Sequence, residues 1–184
     1  MHGDKRRALF LDRDGVINED IGYLSRKEEV RFVEGIFSLC RTARELGYLI
    51  FVVTNQAGIG RGLYTEEDFQ VLMEWMLGEF ARERTAIEAV YHSPFHPEHG
   101  RGEYKRDHED RKPGIGMLLR AEAEFGVSLA ESVMVGDRCT DIAAANAAGL
   151  KQAFLIGGSD TACPGEHLPV ATLGEVEAWL QGQV

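Results

Sequence analysis

The sequence contains little cysteine and no long apolar run. Its 184 residues include 3 cysteines, which are widely spaced and form no Cys-x-x-Cys pair, a pattern that indicates buried, reduced thiols in a reducing compartment. No apolar run approaches the ~18–20 residues of a membrane-spanning helix, and residues 1–7 lead into a short strand instead of an apolar signal segment. We therefore expect a cytoplasmic protein with no membrane span. The cysteines are Cys40, Cys139 and Cys163.

Basic residues are also in the minority. The chain has 20 Lys and Arg against 30 Asp and Glu, a formal net charge of −10, which argues against nucleic acid and anionic membranes as partners. An anionic ligand then requires a local cluster of basic groups or a metal ion. With 44% hydrophobic and 27% charged residues, the composition is that of a globular chain. Its length predicts one domain over residues 1–184, and we expect a monomer that acts on a small molecule.

Predicted strands and helices alternate along the chain. Unbroken apolar runs, which are typical of strands buried in a parallel sheet, predict strands over residues 8–11, 48–53, 132–135 and 152–156, with a further short strand over 87–91. Helical spacing predicts helices over 34–46, 113–125, 140–148 and 173–180, and another that opens at a Thr65 capping box. The alternation predicts an α/β fold with a doubly wound, mostly parallel sheet and helices on both faces.

Three predicted strands end in polar clusters, which is where ligands bind in such a fold. Right-handed crossovers bring the carboxyl ends of these strands to one edge of the sheet. The clusters are Asp12-Arg13-Asp14, Thr54-Asn55-Gln56 and Gly136-Asp137-Arg138. Residues 91–111, by contrast, are rich in His, Pro, Gly and charge and predict a long loop, a feature that is usually functional or disordered.

Asp12 and Asp14 are two residues apart, so in extended backbone both carboxylates can face one point. Two unpaired carboxylates at that distance repel each other, and a divalent cation relieves the repulsion. Asp137 can supply a further oxygen ligand, and oxygen-only ligation of this kind suits Mg²⁺. Solvated turn residues are an equally good explanation of the Asp12–Asp14 pair taken alone.

Thr54 and Lys112 add groups that bind anions. The first offers a hydroxyl at a strand end, and the second an ammonium just before Pro113. Around a metal ion, these groups form the cup that phosphoryl transfer requires. In such a site one carboxylate can attack phosphorus to form an aspartyl-phosphate. A second carboxyl can protonate the leaving alcohol and then deprotonate the hydrolytic water.

This ordered set resembles the haloacid dehalogenase (HAD) superfamily of phosphotransferases, and the resemblance covers essentially the whole chain. Its four motifs correspond to Asp12-Arg13-Asp14-Gly15-Val16, Thr54, Lys112 and Gly136-Asp137-Arg138-x-x-Asp141. The resemblance implies a HAD-like fold in which Asp12 is the nucleophile and Asp14 the general acid and base. It also implies that Thr54 and Lys112 hold the transferring phosphoryl group.

The same resemblance implies a magnesium site. The expected ligands are Asp12, Asp137 and the backbone carbonyl of Asp14. Asp141 either ligates the metal through water or caps the helix that starts beside it, and capping is a common role of Asp near a helix N-terminus.

The gaps between the motifs leave no room for a cap domain, so loops around the site should select the substrate. Residues 18–23 and 54–62, with Arg111-Lys112-Pro113, resemble the D-glycero-D-manno-heptose 1,7-bisphosphate phosphatases, which remove the C7 phosphate in making nucleotide-activated heptose for surface polysaccharide. The candidate substrate-binding residues are Asp20, Ile21, Gly22, Tyr23, Asn55, Gln56, Ala57, Arg61, Arg111 and Arg138. Arg61 is included because a guanidinium in a glycine-rich loop suits bidentate phosphate binding, although a solvated arginine is an equal alternative.

Other functions are possible. Histidinol-phosphate phosphatases belong to the same branch and are the alternative within it. A non-enzymatic receiver-like domain phosphorylated on Asp12 is the alternative of another class, and Asp14 argues against it because receivers need slow hydrolysis. A dinucleotide-binding domain lacks support, since no Gly-x-Gly-x-x-Gly fingerprint follows the first strand.

The long loop departs from the pattern of this branch, whose typical members hold a structural zinc through Cys-x-His and Cys-x-Cys. Those positions read Ser93-Pro94-Phe95 and His108-Glu109-Asp110 in this sequence. Histidines could in principle build another zinc site, but without thiolates the loop is a poor match for zinc. We therefore expect Mg²⁺ and no structural Zn²⁺. The histidines concerned are His92, His96, His99 and His108.

Overall fold

Parallel strands form the centre of the molecule. The computed structural model describes residues 6–157 and 163–183, and within these ranges six strands form one sheet in which every neighbouring pair is parallel. The strands are β1 (Arg7–Leu11), β2 (Tyr48–Asn55), β3 (Ala89–Ser93), β4 (Val133–Gly136), β5 (Gln152–Ile156) and β6 (Leu168–Val170). Their spatial order is β3-β2-β1-β4-β5-β6, which places β1 inside the sheet and confirms the predicted parallel architecture.

Helices cover both faces of this sheet. They are α1 (Ile36–Glu45), α2 (Ala57–Gly60), α3 (Glu66–Arg82), α4 (Gly116–Phe125), α5 (Cys139–Ala147) and α6 (Leu173–Gln181), with 3₁₀ turns at Lys27–Glu29, Gly102–Tyr104 and Leu129–Glu131. Side chains of β1 alternate between two cores. Leu9 and Leu11 pack in the core that includes α1, α3 and α6, whereas Ala8 and Phe10 pack in the core that includes α4 and α5. Burial on both faces explains why β1 is a continuous apolar run and confirms the doubly wound layers.

Among the described helices, none has both the length and the apolar character needed to cross a membrane.

Most predicted element bounds lie within two residues of the observed ones. α3 begins as expected, because Thr65 Oγ1 accepts from the Asp68 backbone N–H at 3.0 Å while the Asp68 carboxylate accepts from the Thr65 N–H at 2.8 Å. The strand predicted over 87–91 begins and ends two residues later. α2 and β6 were not predicted, since elements of four and three residues are too short to show a periodicity.

The helix predicted over 113–125 has a different start. α4 begins at Gly116, because the backbone N–H groups of Gly114 and Gly116 donate to the carbonyl oxygens of Arg111 and Glu109 at 2.7 and 2.9 Å. These bonds close a turn that belongs to the preceding loop. The prediction was therefore wrong at this end, and the proline lies in the turn and not at the first helical position.

The cysteines correct a second prediction. Cys139, the first residue of α5, forms a disulfide with Cys163, and their Cα atoms are 5.0 Å apart, a distance that suits such a bond. The expectation of three reduced thiols was wrong, because a separation of 24 residues does not reveal that the chain after β5 returns to the start of α5. Cys40 is a free, buried thiol as expected, and burial raises its pKa to about 12.

Candidate active site

The carboxyl ends of β1, β2 and β4 open into a pocket of about 390 Å³. Most of the predicted site residues line it: Asp12, Asp14, Asp20, Gly22, Tyr23, Asn55, Gln56, Ala57, Arg61, Arg111, Lys112 and Arg138. Three predicted residues are not part of that lining. Ile21 is half-exposed and Thr54 is fully buried, whereas Asp137 is partly buried beside Gly15.

A buried lysine connects two carboxylates in this pocket. The ammonium of Lys112 lies 3.0 Å from Asp12 Oδ1 and 2.6 Å from Asp141 Oδ1, and it donates to the carbonyl oxygen of Val53 at 2.7 Å. Burial lowers the pKa of Lys112, but the two carboxylates outweigh burial and raise that pKa above its usual value. The ammonium therefore stays charged and bridges the ends of β1, β2 and the start of α5.

Asn55, the last residue of β2, fixes the backbone of this lysine. Its Nδ2 donates to the Lys112 carbonyl oxygen at 3.0 Å, and its Oδ1 accepts from the Lys112 N–H at 2.9 Å. The side-chain amide is thus engaged by the chain itself, although the residue lines the pocket.

Three carboxylates converge beside the lysine. One oxygen each from Asp12, Asp137 and Asp141 lie within 4.8 Å of one another. Burial raises the pKa of Asp12 to about 8, with Lys112 opposing the rise and the other two carboxylates adding to it. Burial also raises the pKa of Asp137 to about 6, and the charge of Asp141 adds to that rise. A single ammonium does not neutralise three carboxylates. Further positive charge is needed to stabilise all three in their ionised form.

The oxygen atoms present fit a hard divalent cation. Asp137 Oδ1 is buried and has no hydrogen-bond partner among residues 6–157 and 163–183, which is costly for a carboxylate unless a cation binds there. Gly15 makes space for this carboxylate, because its φ is +85° and a Cβ at that position would lie 2.2 Å from Asp137 Oδ2. Carboxylate oxygens are the ligands that Mg²⁺ prefers. The residues therefore match the metal predicted from the sequence.

Asp141 caps α5. Its Oδ2 accepts from the backbone N–H groups of Asp137 and Arg138, both at 3.1 Å, which satisfies donors at the helix start. This confirms the capping interpretation, and the other oxygen faces Lys112. A role in metal binding through water stays a prediction.

The Asp14 carboxylate is held by donors of its own. Nη2 of the fully buried Arg13 lies 2.9 Å from both Asp14 oxygens. Asn18 Nδ2 donates to Oδ1 and Gln56 Nε2 donates to Oδ2, both at 3.0 Å. Gln56 Nε2 also donates to Thr54 Oγ1 at 2.8 Å. The two acidic side chains of the first motif therefore have separate surroundings, although both line the pocket.

Four residues form what we call the rim: Asp20, Tyr23, Arg61 and Arg138. Arg138 pairs with Asp20 at 2.9 Å, which joins the segment after β4 to the segment after β1. Arg61 donates to the Tyr23 hydroxyl, and its guanidinium carbon lies 5.3 Å from the centre of the Tyr23 ring. The rim thus consists of exposed contacts between loops, with two guanidinium groups beside the pocket.

Known proteins match this chain over most of its length. Residues 110–173 match the family described as "HAD-hyrolase-like". The D-glycero-alpha-D-manno-heptose-1,7-bisphosphate 7-phosphatase of Burkholderia mallei is 53% identical over 152 residues, which cover 83% of this chain and 80% of that protein. The chain belongs to the heptose-1,7-bisphosphate 7-phosphatase family. The D-glycero-beta-D-manno-heptose-1,7-bisphosphate 7-phosphatase of Vibrio cholerae is 42% identical over 170 residues, 92% of this chain and 91% of that protein.

Solved structures agree with the HAD-like fold. A structure from Mesorhizobium loti assigned to the HAD-like phosphatases is 33% identical, with a TM-score of 0.88 over 97% of this chain and 87% of that chain. The D,D-heptose 1,7-bisphosphate phosphatase of B. bronchiseptica, solved with magnesium and phosphate, shares the fold at 24% identity, with a TM-score of 0.83 over 97% and 99% of the two chains. The predicted HAD-like fold and phosphatase class are confirmed, so the receiver-like and dinucleotide-binding alternatives are set aside.

In this member of the heptose-1,7-bisphosphate 7-phosphatase family, aromatic packing holds part of the long loop. The Phe95 ring stacks on the His108 ring, with centroids 4.1 Å apart and planes 9° apart. The Arg106 guanidinium lies 4.6 Å from the centre of the Phe95 ring, and Arg111 donates to the Phe95 carbonyl oxygen at 3.0 Å. Phe95 and His108, which occupy two of the positions where typical members hold zinc, thus contact each other through their rings. That the loop binds no zinc stays a prediction.

Four further residues line the pocket and were not predicted there: Gly58, Tyr64, His96 and Thr140. Thr140 lies inside the fourth motif, and this position in the sequence could have predicted that it lines the pocket. Tyr64 has no such signal, because it precedes the α3 capping box as a single aromatic residue outside any motif or periodic pattern. Its buried hydroxyl donates to Gln56 Oε1, a contact that only the folded chain reveals.

Proposed function

We propose that the chain removes the 7-phosphate of D-glycero-D-manno-heptose 1,7-bisphosphate through an aspartyl-phosphate on Asp12. The observation that carries the substrate is the 53% identity to a phosphatase named for it. The charges of the pocket support it, because Arg61, Arg111 and Arg138 line the same cavity as the acidic cluster. Guanidinium groups bind phosphate in bidentate fashion, so they suit a sugar whose second phosphate is not hydrolysed.

The first step transfers the phosphoryl group to the protein. Asp12 Oδ1 accepts from the Arg13 N–H at 2.8 Å and faces Lys112, so we assign the attack on phosphorus to Oδ2. The bond from Oδ2 to phosphorus forms as the bond from phosphorus to the sugar C7 oxygen breaks. Asp14 gives its proton to that oxygen, and Lys112 and Thr54 hold the phosphoryl oxygens.

The second step releases phosphate. Asp14, now ionised, takes a proton from water as the water oxygen attacks phosphorus, and the bond to Asp12 Oδ2 breaks. Inorganic phosphate leaves, Asp12 is again a carboxylate and Asp14 is again protonated. When Mg²⁺ is held by Asp12, Asp137 and the Asp14 backbone carbonyl, it neutralises negative charge on Asp12 and on the phosphoryl oxygens.

The test compares phosphate release from the alpha and beta anomers of the heptose bisphosphate and from histidinol phosphate. We expect kcat/KM for the preferred heptose anomer to exceed that for histidinol phosphate by about 100-fold or more, because histidinol phosphate has no second phosphate for the arginines. EDTA should abolish the activity, Mg²⁺ should restore it, and Zn²⁺ should do so poorly. Faster turnover of histidinol phosphate would contradict the proposed substrate, and full activity in EDTA would contradict the metal.

We also propose that the chain acts as a monomer in the cytoplasm. Light scattering of the purified protein tests the oligomeric state. A doubly phosphorylated sugar does not cross a membrane unaided. The enzyme should therefore lie in the same compartment as the reaction that makes its substrate. Cell fractionation followed by detection of the protein with an antibody tests the location. Recovery in the cytoplasmic fraction supports the proposal, and recovery in the periplasmic or membrane fraction contradicts it.

A further inference from the structure

One buried amide joins two of the proposed catalytic side chains. Gln56 is 2% exposed. Its Nε2 donates to Asp14 Oδ2 at 3.0 Å and to Thr54 Oγ1 at 2.8 Å, and its Oε1 accepts from the Tyr64 hydroxyl. Both N–H groups and the carbonyl oxygen of the amide therefore have partners within the protein.

The Tyr64 hydroxyl holds the oxygen end of this amide. Tyr64 is 8% exposed, and burial raises its pKa to about 12, so the hydroxyl keeps its proton and donates it. The ionised Asp14 carboxylate only accepts hydrogen bonds, so it faces the NH₂ group of Gln56, and the amide oxygen at the other end accepts from the Tyr64 hydroxyl. The reverse orientation would bring two acceptors together at Asp14, which is costly in a buried site.

We propose that Tyr64 is a positioning residue that acts through Gln56 to orient Asp14 for proton transfer. The inference rests on the proposed function, because it takes Asp14 as the general acid. It also changes the role expected of Gln56, whose side chain acts by orienting its neighbours and not by binding the sugar.

The chemistry of the leaving group makes this role measurable. A sugar alkoxide leaves only when it receives a proton, whereas p-nitrophenolate is weakly basic and leaves without one. An incorrectly oriented Asp14 therefore slows the first step for the sugar phosphate and spares that step for p-nitrophenyl phosphate. Hydrolysis of the aspartyl-phosphate needs Asp14 as a base with either substrate, so kcat for p-nitrophenyl phosphate should still fall.

The test is Tyr64→Phe, which removes one oxygen atom. We expect kcat/KM for the heptose bisphosphate to fall about tenfold, the effect of one lost hydrogen bond. For p-nitrophenyl phosphate, kcat and KM should fall together, so that kcat/KM stays within about twofold. The matched control is Tyr48→Phe, because Tyr48 is also a buried tyrosine, lies at the opposite end of β2 and has a hydroxyl with no partner among the described residues. This variant should leave kcat/KM unchanged for both substrates.

A second variant keeps the inference testable by another route. Gln56→Met preserves the length of the side chain and removes every hydrogen bond of the amide, so the same pattern should appear with a loss of about 100-fold for the sugar phosphate. Melting temperatures of the variants confirm that each is folded.

Equal losses of kcat/KM on both substrates, or no loss with Tyr64→Phe, would overturn the positioning role while leaving the proposed function in place. A wild-type enzyme that releases phosphate from neither substrate would instead refute the proposed function.

Discussion

The buried part of the pocket and its rim are built on different principles. Asp12, Lys112 and Asp141 are at most 7% exposed, and each contacts residues from other strands or helices. The rim consists of exposed loop contacts, and its Arg138 side chain is 66% exposed. Exposed ion pairs contribute about 0–1 kcal/mol, whereas breaking a buried pair costs about 3–5 kcal/mol. The reaction should therefore depend on the buried carboxylates and lysine, stability on the lysine that compensates the carboxylates, and substrate affinity on the rim.

The largest expected effect comes from the nucleophile. Asp12→Asn should lower phosphate release at least about 10⁴-fold, because no aspartyl-phosphate can form efficiently. The melting temperature should stay the same or rise, since one of three neighbouring carboxylates loses its charge. Glu45→Gln, at the exposed end of α1, is the control and should retain full activity. Undiminished turnover by Asp12→Asn would contradict the proposed mechanism.

Asp14→Asn should separate the two steps of the reaction. We expect a loss of about 10²–10⁴-fold in steady-state turnover, because the leaving and attacking oxygens lose their proton partner. Since the second step is also slowed, phosphorylated Asp12 should accumulate when p-nitrophenyl phosphate is the substrate. Intact-protein mass spectrometry of acid-quenched samples detects the added phosphoryl group. A variant with wild-type steady-state rates would show that Asp14 has no such role.

Lys112→Met tests whether one buried side chain supports both activity and stability. Turnover should fall about 10²–10³-fold, because a cation that faces the phosphoryl group is lost. The free energy of unfolding in urea should fall by about 3–5 kcal/mol, since Asp12 and Asp141 remain buried without their partner. Lys27→Met, at an exposed position, is the matched control. Loss of activity without loss of stability would mean that the ammonium does not compensate the carboxylates.

The smallest effects are expected at the rim. Arg61→Ala and Arg138→Ala should each raise KM for the heptose bisphosphate about tenfold and leave kcat within about twofold, since they remove binding that is equal in the ground and transition states. Their free energies of unfolding should change by no more than about 0.5 kcal/mol. Arg41→Ala, which removes an exposed pair with Glu83 at 3.1 Å, should change neither constant. A rim variant that lowers kcat as strongly as Lys112→Met would erase the contrast between the two regions.

The parts of the molecule that could be predicted from the sequence are those fixed by local pattern. β1 lies between two cores, so its residues form a continuous apolar run, and parallel strands bring the three polar clusters to one edge. The α3 capping box lies within four residues. Asp12, Thr54 and Asp137 follow from their places at these strand ends, whereas Lys112 lies at the end of the long loop between β3 and α4.

The remaining features depend on contacts between distant segments. α4 starts at Gly116 because the loop before it uses the backbone N–H groups that an earlier start would require. The Cys139–Cys163 bond depends on the return of the chain after β5. The partners of Asp14 come from the segment after β1 and the segment after β2, so no spacing rule leads to Gln56 or Tyr64.

The paired hydrogen bonds between the Asn55 amide and the Lys112 backbone have a practical consequence for engineering. They anchor the end of the long loop to the central sheet immediately beside the ammonium. A variant that alters the outer part of that loop should therefore keep Asn55 unchanged, because this amide ties the lysine backbone to β2.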